Sequence, residues 1–128
     1  MNTVAFIPAR ANSKRLPKKN IKKLNGISLV EHSVRFVRTL KFVDDIIIST
    51  DDKKIIKMYK KFKFIKLFKR PKRLSTNKSK TVSVISHTLK KYEKKFNRAE
   101  TIILLQPTSP FRSNKIVHLA YNIYNKLN

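Results

Sequence analysis

The chain has no cysteine, which excludes a disulfide framework and a thiolate metal site. It has a single glycine, Gly26, in 128 residues. No Gly-x-Gly-x-x-Gly turn, Walker A loop or Gly-x-Ser-x-Gly elbow is therefore present. Acidic residues are scarce, 7 against 31 Lys and Arg, and four of the seven fall between Asp44 and Asp52. No segment approaches the roughly 20 apolar residues of a membrane span. The first residues, Met1 to Pro8, lack the charged n-region and long apolar core of a signal peptide. A cytoplasmic protein with no membrane partner is expected.

What is present fits one folded domain. The length allows a single real core, and the apolar fraction of 41% is ordinary. The formal charge of +24 owes most to lysine, 23 of the 31 cations, accompanied by 14 Ile and 10 Asn. That trio is what a strongly AT-rich genome would encode whatever the function, and the lysines are spread rather than gathered in one stripe. A field this positive would still bind polyanions non-specifically. A basic nucleic-acid-binding module therefore stays open as an alternative, without a specific nucleic-acid partner.

Short apolar runs alternate with segments of helical period. Strands are expected at 4–8, 45–50, 64–68 and 101–105, the second carrying the continuous run Ile46-Ile47-Ile48 of a strand buried on both sides. Helices are expected at 29–40 through Val30, Val34, Val37 and Leu40, and at 52–62 through Ile56, Tyr59 and Phe62. Two more follow, at 80–96 through Val82, Ile85, Leu89, Tyr92 and Phe96, and at 114–127 through Ile116, Leu119, Ile123 and Leu127. Strand and helix alternating four times imply an α/β fold, a Rossmann-like three-layer α/β/α arrangement with a mainly parallel sheet. The last helix should return to a further strand, so an incomplete domain is expected.

About twenty residues separate the first strand from its helix, where 2–6 are usual, and long loops of this kind are commonly functional. The loop sits at the carboxyl end of a strand, where open α/β sheets bind ligands. It offers Arg10, Lys14, Arg15, Lys18 and Lys19. Arginine grips a phosphate with paired hydrogen bonds and lysine adds a point charge, and the amides of Ala11, Asn12 and Ser13 offer an anion cradle beside them. At the end of the fourth strand, Gln106, Thr108, Ser109 and Arg112 would face the same rim, with two prolines fixing the turn and Ser113 as a helix cap. Asp51 and Asp52 follow the second strand, where one is expected to cap the next helix. His32, His87 and His118 have no second ligand at metal spacing.

These blocks resemble the acylneuraminate cytidylyltransferases, the CMP-sialic acid synthetases. The resemblance rests on Ile7-Pro-Ala-Arg10-Ala-Asn-Ser-Lys14-Arg-Leu-Pro17-Lys-Lys19-Asn20. It continues through Leu24-Asn-Gly26-Ile-Ser-Leu, Ile48-Ser-Thr-Asp51, Arg70-Pro71 and Leu104-Leu-Gln106-Pro-Thr-Ser-Pro-Phe-Arg112. The order and spacing hold across nearly the whole chain.

The resemblance implies transfer of CMP from CTP to the anomeric hydroxyl of a nine-carbon 2-keto sugar acid of the N-acylneuraminate type, releasing pyrophosphate. A pseudaminic, legionaminic or 3-deoxy-octulosonic acid is the alternative acceptor. It further implies that Arg10, Lys14 and Lys19 hold the phosphates, with Arg10 and Lys19 as the catalytic pair, and that Asn20, Arg70 and Thr81 contact the nucleotide. Gln106 is implied to face the sugar, and Mg²⁺ to take part. On the same resemblance residues 1–128 are the N-terminal, CTP-binding part of such a domain. Its metal-holding Asp-x-Asp pair and dimer contact would lie further on, in the same chain or in a separately encoded half, and no metal ligand lies in these residues. The loop departs from many members at Ala11-Asn12, where they carry Gly-Gly.

Overall fold

The computed structural model describes residues 2–11, 23–24, 26–76, 79–107 and 114–127. Thr3–Ala9 forms β1, buried at every position but Pro8. A short antiparallel pair follows, β2 (Lys23–Leu24) and β3 (Ile27–Ser28), turned by Gly26 at φ +79°, a conformation that glycine adopts without a Cβ clash. The rest of the chain is α1 (Leu29–Arg38), β4 (Asp45–Thr50), α2 (Lys53–Tyr59), β5 (Ile65–Lys69), α3 (Thr81–Lys95), β6 (Thr101–Leu104) and α4 (Asn114–Leu127). The four expected strands and four expected helices are all there, and the β2–β3 pair lies inside what reads from sequence as loop.

The main sheet runs β5-β4-β1-β6, every pairing parallel. The chain steps outward from β1 to β4 to β5, then returns across the sheet to β6. Constant right-handed crossovers place α1 and α2 on one face and α3 on the other. Strand alternation follows: Ala5, Ile7, Ala9, Ile46 and Ile48 pack with Val30, Val34, Val37, Ile55 and Tyr59. Val4, Phe6, Ile47 and Phe68 pack with Val84 and Tyr92. This is the three-layer α/β/α arrangement.

The helix starts are set locally. Ser28 Oγ accepts the N–H of Glu31 at 3.1 Å, capping α1, while Glu31 sits in its first turn and Arg35 and Arg38 in its last, each charge favourable with the helix dipole. Asp52 caps α2 by accepting the N–H of Lys54 at 2.8 Å, so the second of the aspartate pair is the cap.

Three helical faces differ from their apolar pattern: on α2 the core is met by Ile55 and Tyr59, while Phe62, expected on that face, is exposed. On α3 the buried face is Val84, Thr88 and Tyr92, while Val82 is 77% exposed. Thr88 can be buried because its hydroxyl donates to Val84 C=O at 2.8 Å and reaches Ser49 Oγ at 3.4 Å, a satisfaction that apolar periodicity does not register. On α4, Leu119 and Ile123 are exposed. Tyr121 holds that helix instead, stacked on Phe42 at 3.9 Å with its hydroxyl 3.2 Å from Thr3 Oγ1.

Two tyrosines carry buried hydrogen bonds to carboxylates. Tyr59 donates to Glu31 at 2.6 Å and Tyr92 to Asp45 at 2.5 Å. Burial, reinforced by the Glu31 carboxylate, raises the Tyr59 pKa well above its usual value. Burial, with Asp45, pushes Tyr92 up to about 12. A folded-state pKa raised above the unfolded 10.0 means that the stabilisation is intact below pH 10 and lost as pH rises through about 12. Ultraviolet titration should show Tyr59 and Tyr92 ionising late among the four tyrosines, and Tyr92→Phe should remove the step near 12.

Candidate functional site

Strand order reverses at β1: β4 lies on one side, β6 on the other. This is the switch point at whose carboxyl rim open α/β sheets leave a crevice. β1 pairs with β6 only as far as Phe6, whose C=O accepts the N–H of Leu105 at 2.9 Å. Pro8 is the next β1 residue whose backbone faces that side, and it has no N–H to extend the pairing. The two strands therefore part at their carboxyl ends.

The other side of the rim is tied shut by polar groups from β4. Thr50 Oγ1, fully buried, donates to Ala9 C=O at 2.5 Å and accepts the N–H of Asp52 at 2.9 Å. Asp51 Oδ1 accepts the N–H of Ala11 at 2.7 Å. Thr50 and Asp51 thus fix the path by which the chain leaves β1 into the basic loop. The sequence signal for this was a threonine and an aspartate at a strand end, which read from sequence as part of a resemblance block and as a helix cap. The Ala11 amide is committed to Asp51, so the anion cradle expected from residues 11–13 lacks it as a donor.

Arg70 follows β5 and is 6% exposed. Its backbone N–H donates to Thr50 C=O at 2.7 Å, and Nη2 reaches Ser49 C=O at 3.4 Å. Nε is buried with no partner among the described residues, a deficit of about 1–3 kcal/mol for a donor out of water. Burial lowers the Arg70 pKa, the Asp51 carboxylate opposes that, and the charge of Arg10 adds to it. The like charges of Arg10 and Arg70 are therefore held within mutual influence at the end of the sheet, an arrangement that an anion relieves.

Thr81, half-buried, is the first residue of α3. No side chain caps that helix, since Lys80 at the cap position makes no such bond, and its positive dipole end lies at the carboxyl rim. Gln106 is exposed just past β6, on the far side of the parting from β4. The structure thus puts Arg10, Ala11, Arg70, Thr81 and Gln106 on one rim. Asn12, Ser13, Lys14, Lys19 and Asn20 lie outside the described residues, as do Arg15, Lys18, Thr108, Ser109, Arg112 and Ser113. Among the described residues no group of three His, Asp or Glu side chains converges as a metal site.

A parallel α/β sheet whose strand order reverses at β1, with Arg10, Arg70 and the start of α3 on its carboxyl rim, defines the class, α/β proteins whose ligand crevice lies at the strand ends. The cytidylyltransferase family model matches residues 4–128, and the chain belongs to that family. It is 33% identical over 124 residues to the CMP-N,N'-diacetyllegionaminic acid synthase of Legionella pneumophila, covering 97% of this chain and 53% of that protein. It is 31% identical over 124 residues to the N-acylneuraminate cytidylyltransferase of Escherichia coli, covering 97% and 28%. Among solved structures, a CMP:2-keto-3-deoxy-manno-octonic acid synthetase complexed with CTP superposes with a TM-score of 0.74 at 22% identity, over 98% of this chain and 48% of that one. At that identity the likeness shows the fold. The chain spans about half the length of the curated relative it matches at 33%.

Thr50→Val removes a buried hydroxyl that makes two hydrogen bonds while keeping its volume. It should cost about 1–3 kcal/mol in urea denaturation, and Thr50→Ser should recover most of that.

Proposed function

We propose that residues 1–128 are the CTP-binding part of a cytidylyltransferase that activates a nine-carbon 2-keto sugar acid. The observation that carries the reading is the buried Arg70 guanidinium on the carboxyl rim of the sheet, with Nε unpaired among the described residues and within the electrostatic influence of Arg10, in a chain of this family. In the proposed reaction the anomeric hydroxyl oxygen of the sugar forms a bond to the α-phosphorus of CTP. The bond from that phosphorus to the bridging oxygen breaks, pyrophosphate leaves, and the hydroxyl proton passes to solvent. Displacement of this kind depends on positioning and charge neutralisation more than on covalent chemistry by the protein.

The parts fall to named residues. Arg10, Lys14 and Lys19 would hold the triphosphate, with Arg10 and Lys19 facing the transferred group, and Asn12 and Ser13 would add loop donors. Asn20, Arg70 and Thr81 would meet the nucleotide. Gln106, a neutral donor and acceptor across the parting from Arg70, would meet the sugar. Both the neuraminate and the legionaminate relatives fit this reading. The neuraminate substrate first expected is therefore broadened to the nine-carbon class, legionaminic and pseudaminic acids included, with the eight-carbon 3-deoxy-octulosonic acid as a further candidate.

The Mg²⁺ that the resemblance implies does not fit the described residues. Asp51 is spent on the Ala11 amide and Asp52 on the Lys54 amide, and no step here is routed through a metal.

Isothermal calorimetry tests the reading. The chain should bind CTP, and Arg10→Ala, Lys19→Ala and Arg70→Ala should each weaken it about tenfold or more, equivalent to at least ~1.4 kcal/mol. Gln106→Ala should leave CTP affinity within about twofold. Equal CTP binding by the parent and all three cation variants would sink the assignment.

A further inference from the structure

Lysine is spread over this chain, so charge alone marks no surface. Exposed aromatic side chains are gathered instead. Phe62, Phe64 and Phe96 are 46%, 40% and 42% exposed, and among the described residues Tyr124 on α4 is the one other exposed aromatic. Phe62 and Phe64 fall in Lys60-Lys-Phe-Lys-Phe-Ile-Lys-Leu-Phe-Lys69, the passage from α2 into β5, where five lysines alternate with apolar residues. From Lys53 to Tyr92 the sequence holds no Asp or Glu. A single exposed apolar side chain is ordinary, but a cluster of them inside a field of one sign marks a contact surface.

The fold turns this segment into a groove. Lys60, Phe62 and Lys63, the outer edge of β5, and Lys95 and Phe96 at the end of α3 line a space of about 540 Å³. Its rings are held in place. The Phe96 and Tyr92 ring centroids are 5.2 Å apart, and Lys66 Nζ lies 4.8 Å from the Phe96 centroid. Lys66 is itself fixed, donating to Lys63 C=O at 3.0 Å and lying 3.9 Å from Asp45. Phe62 sits 6.1 Å from Tyr59 and 5.5 Å from Phe64, whose ring Arg38 covers at 4.8 Å. Lysine on β5 alone would read as protection of an open sheet edge. Lys60, Lys63 and Lys95 lie off that strand, however, and among the described residues they meet no carboxylate.

We propose that this groove binds single-stranded nucleic acid without reading its sequence. The charge is complementary, since Lys60, Lys63, Lys66 and Lys95 line the groove and no acidic side chain does. A single strand brings phosphates for those lysines and open base faces for the phenyl rings. A duplex keeps its base faces stacked inside. An anionic bilayer would meet aromatic side chains on a projecting surface, whereas Phe62 and Phe96 line a concave one. The groove is also separate from the rim assigned to CTP. Thr81 begins α3 at the carboxyl rim and Lys95 ends it at the other, about 21 Å away at 1.5 Å per residue.

Fluorescence anisotropy with labelled oligo-dT and oligo-rU of about 15 nucleotides, at about 0.15 M salt, tests this. Both should bind the chain about fivefold or more tighter than a duplex of the same length. Phe62→Leu and Phe96→Leu keep charge and apolar bulk, yet each should weaken single-strand binding about fivefold or more, the loss of one stacked base. Heparin, a polyanion without bases, and CTP should bind these variants as they bind the parent. Lys63→Gln and Lys95→Gln should each lower the salt slope by about 0.7, while Lys126→Gln on α4 leaves it unchanged. Lys63 and Lys95 are exposed, so their variants keep the test sound if a phenylalanine variant fails to fold. Failure of either single strand to bind overturns the proposal, as does equal affinity for strand and duplex. Parent-like binding by both phenylalanine variants overturns it too, as does a salt slope that Lys126→Gln lowers just as much. Binding to phosphatidylserine vesicles that Phe62→Leu abolishes would make the surface a membrane contact and overturn it as well.

Discussion

The structure depends on burying β1 from both faces while pairing it on both edges. Val4 and Phe6 point into one layer and Ala5, Ile7 and Ala9 into the other, all without solvent exposure. β4 beside it repeats the arrangement, with Ile46 and Ile48 in one core and Ile47 in the other. The carboxyl end of such a strand is the one place where it can touch solvent without losing packing, and the chain leaves the sheet there. Thr50 and Asp51 hold that exit from the β4 side, and Pro8 releases it from the β6 side. The site is a consequence of how the central strand ends.

The alternation of strands and helices, the layer arrangement and most of the core were legible because β-branched runs and valine spacing are strong signals. The runs Ile46-Ile47-Ile48 and Val30, Val34, Val37 were read from sequence and are buried in the structure. The failures share a cause. Thr88 reaches the core of α3 through a hydrogen-bonded hydroxyl, and Tyr121 anchors α4 the same way. A pattern that counts only apolar residues selects Val82, Leu119 and Ile123, which are exposed. Of the site, Arg10, Arg70, Thr81 and Gln106 were named in advance and share one rim. The buried, unpartnered state of Arg70 Nε was not legible, since no spacing reports which nitrogen loses water. The clamp by Thr50 and Asp51 was equally hidden, because a strand-end Thr-Asp-Asp reads as a cap until the partner amides are seen.

The acidic residues explain how a chain of +24 holds together and why its site is so basic. Six of the seven engage specific partners: Asp44 the Thr3 amide, Asp51 the Ala11 amide, Asp52 the Lys54 amide, Glu93 the Ala99 amide, Glu31 the Tyr59 hydroxyl and Asp45 the Tyr92 hydroxyl. Each carboxylate thus ties backbone or buried hydroxyl groups, where a charged acceptor contributes more than a neutral one. Among the described residues Glu31 and Asp45 also meet a cation, Arg35 and Lys66. The scarce negative charge is placed where the fold needs acceptors, so most of the positive charge goes uncompensated by the chain itself. At most surface positions water and salt screen that excess. Arg70 is the exception, because it is buried beside the field of Arg10 with only Asp51 opposing. A phosphate-bearing ligand would there supply both a partner for Nε and the counter-charge that the fold withholds.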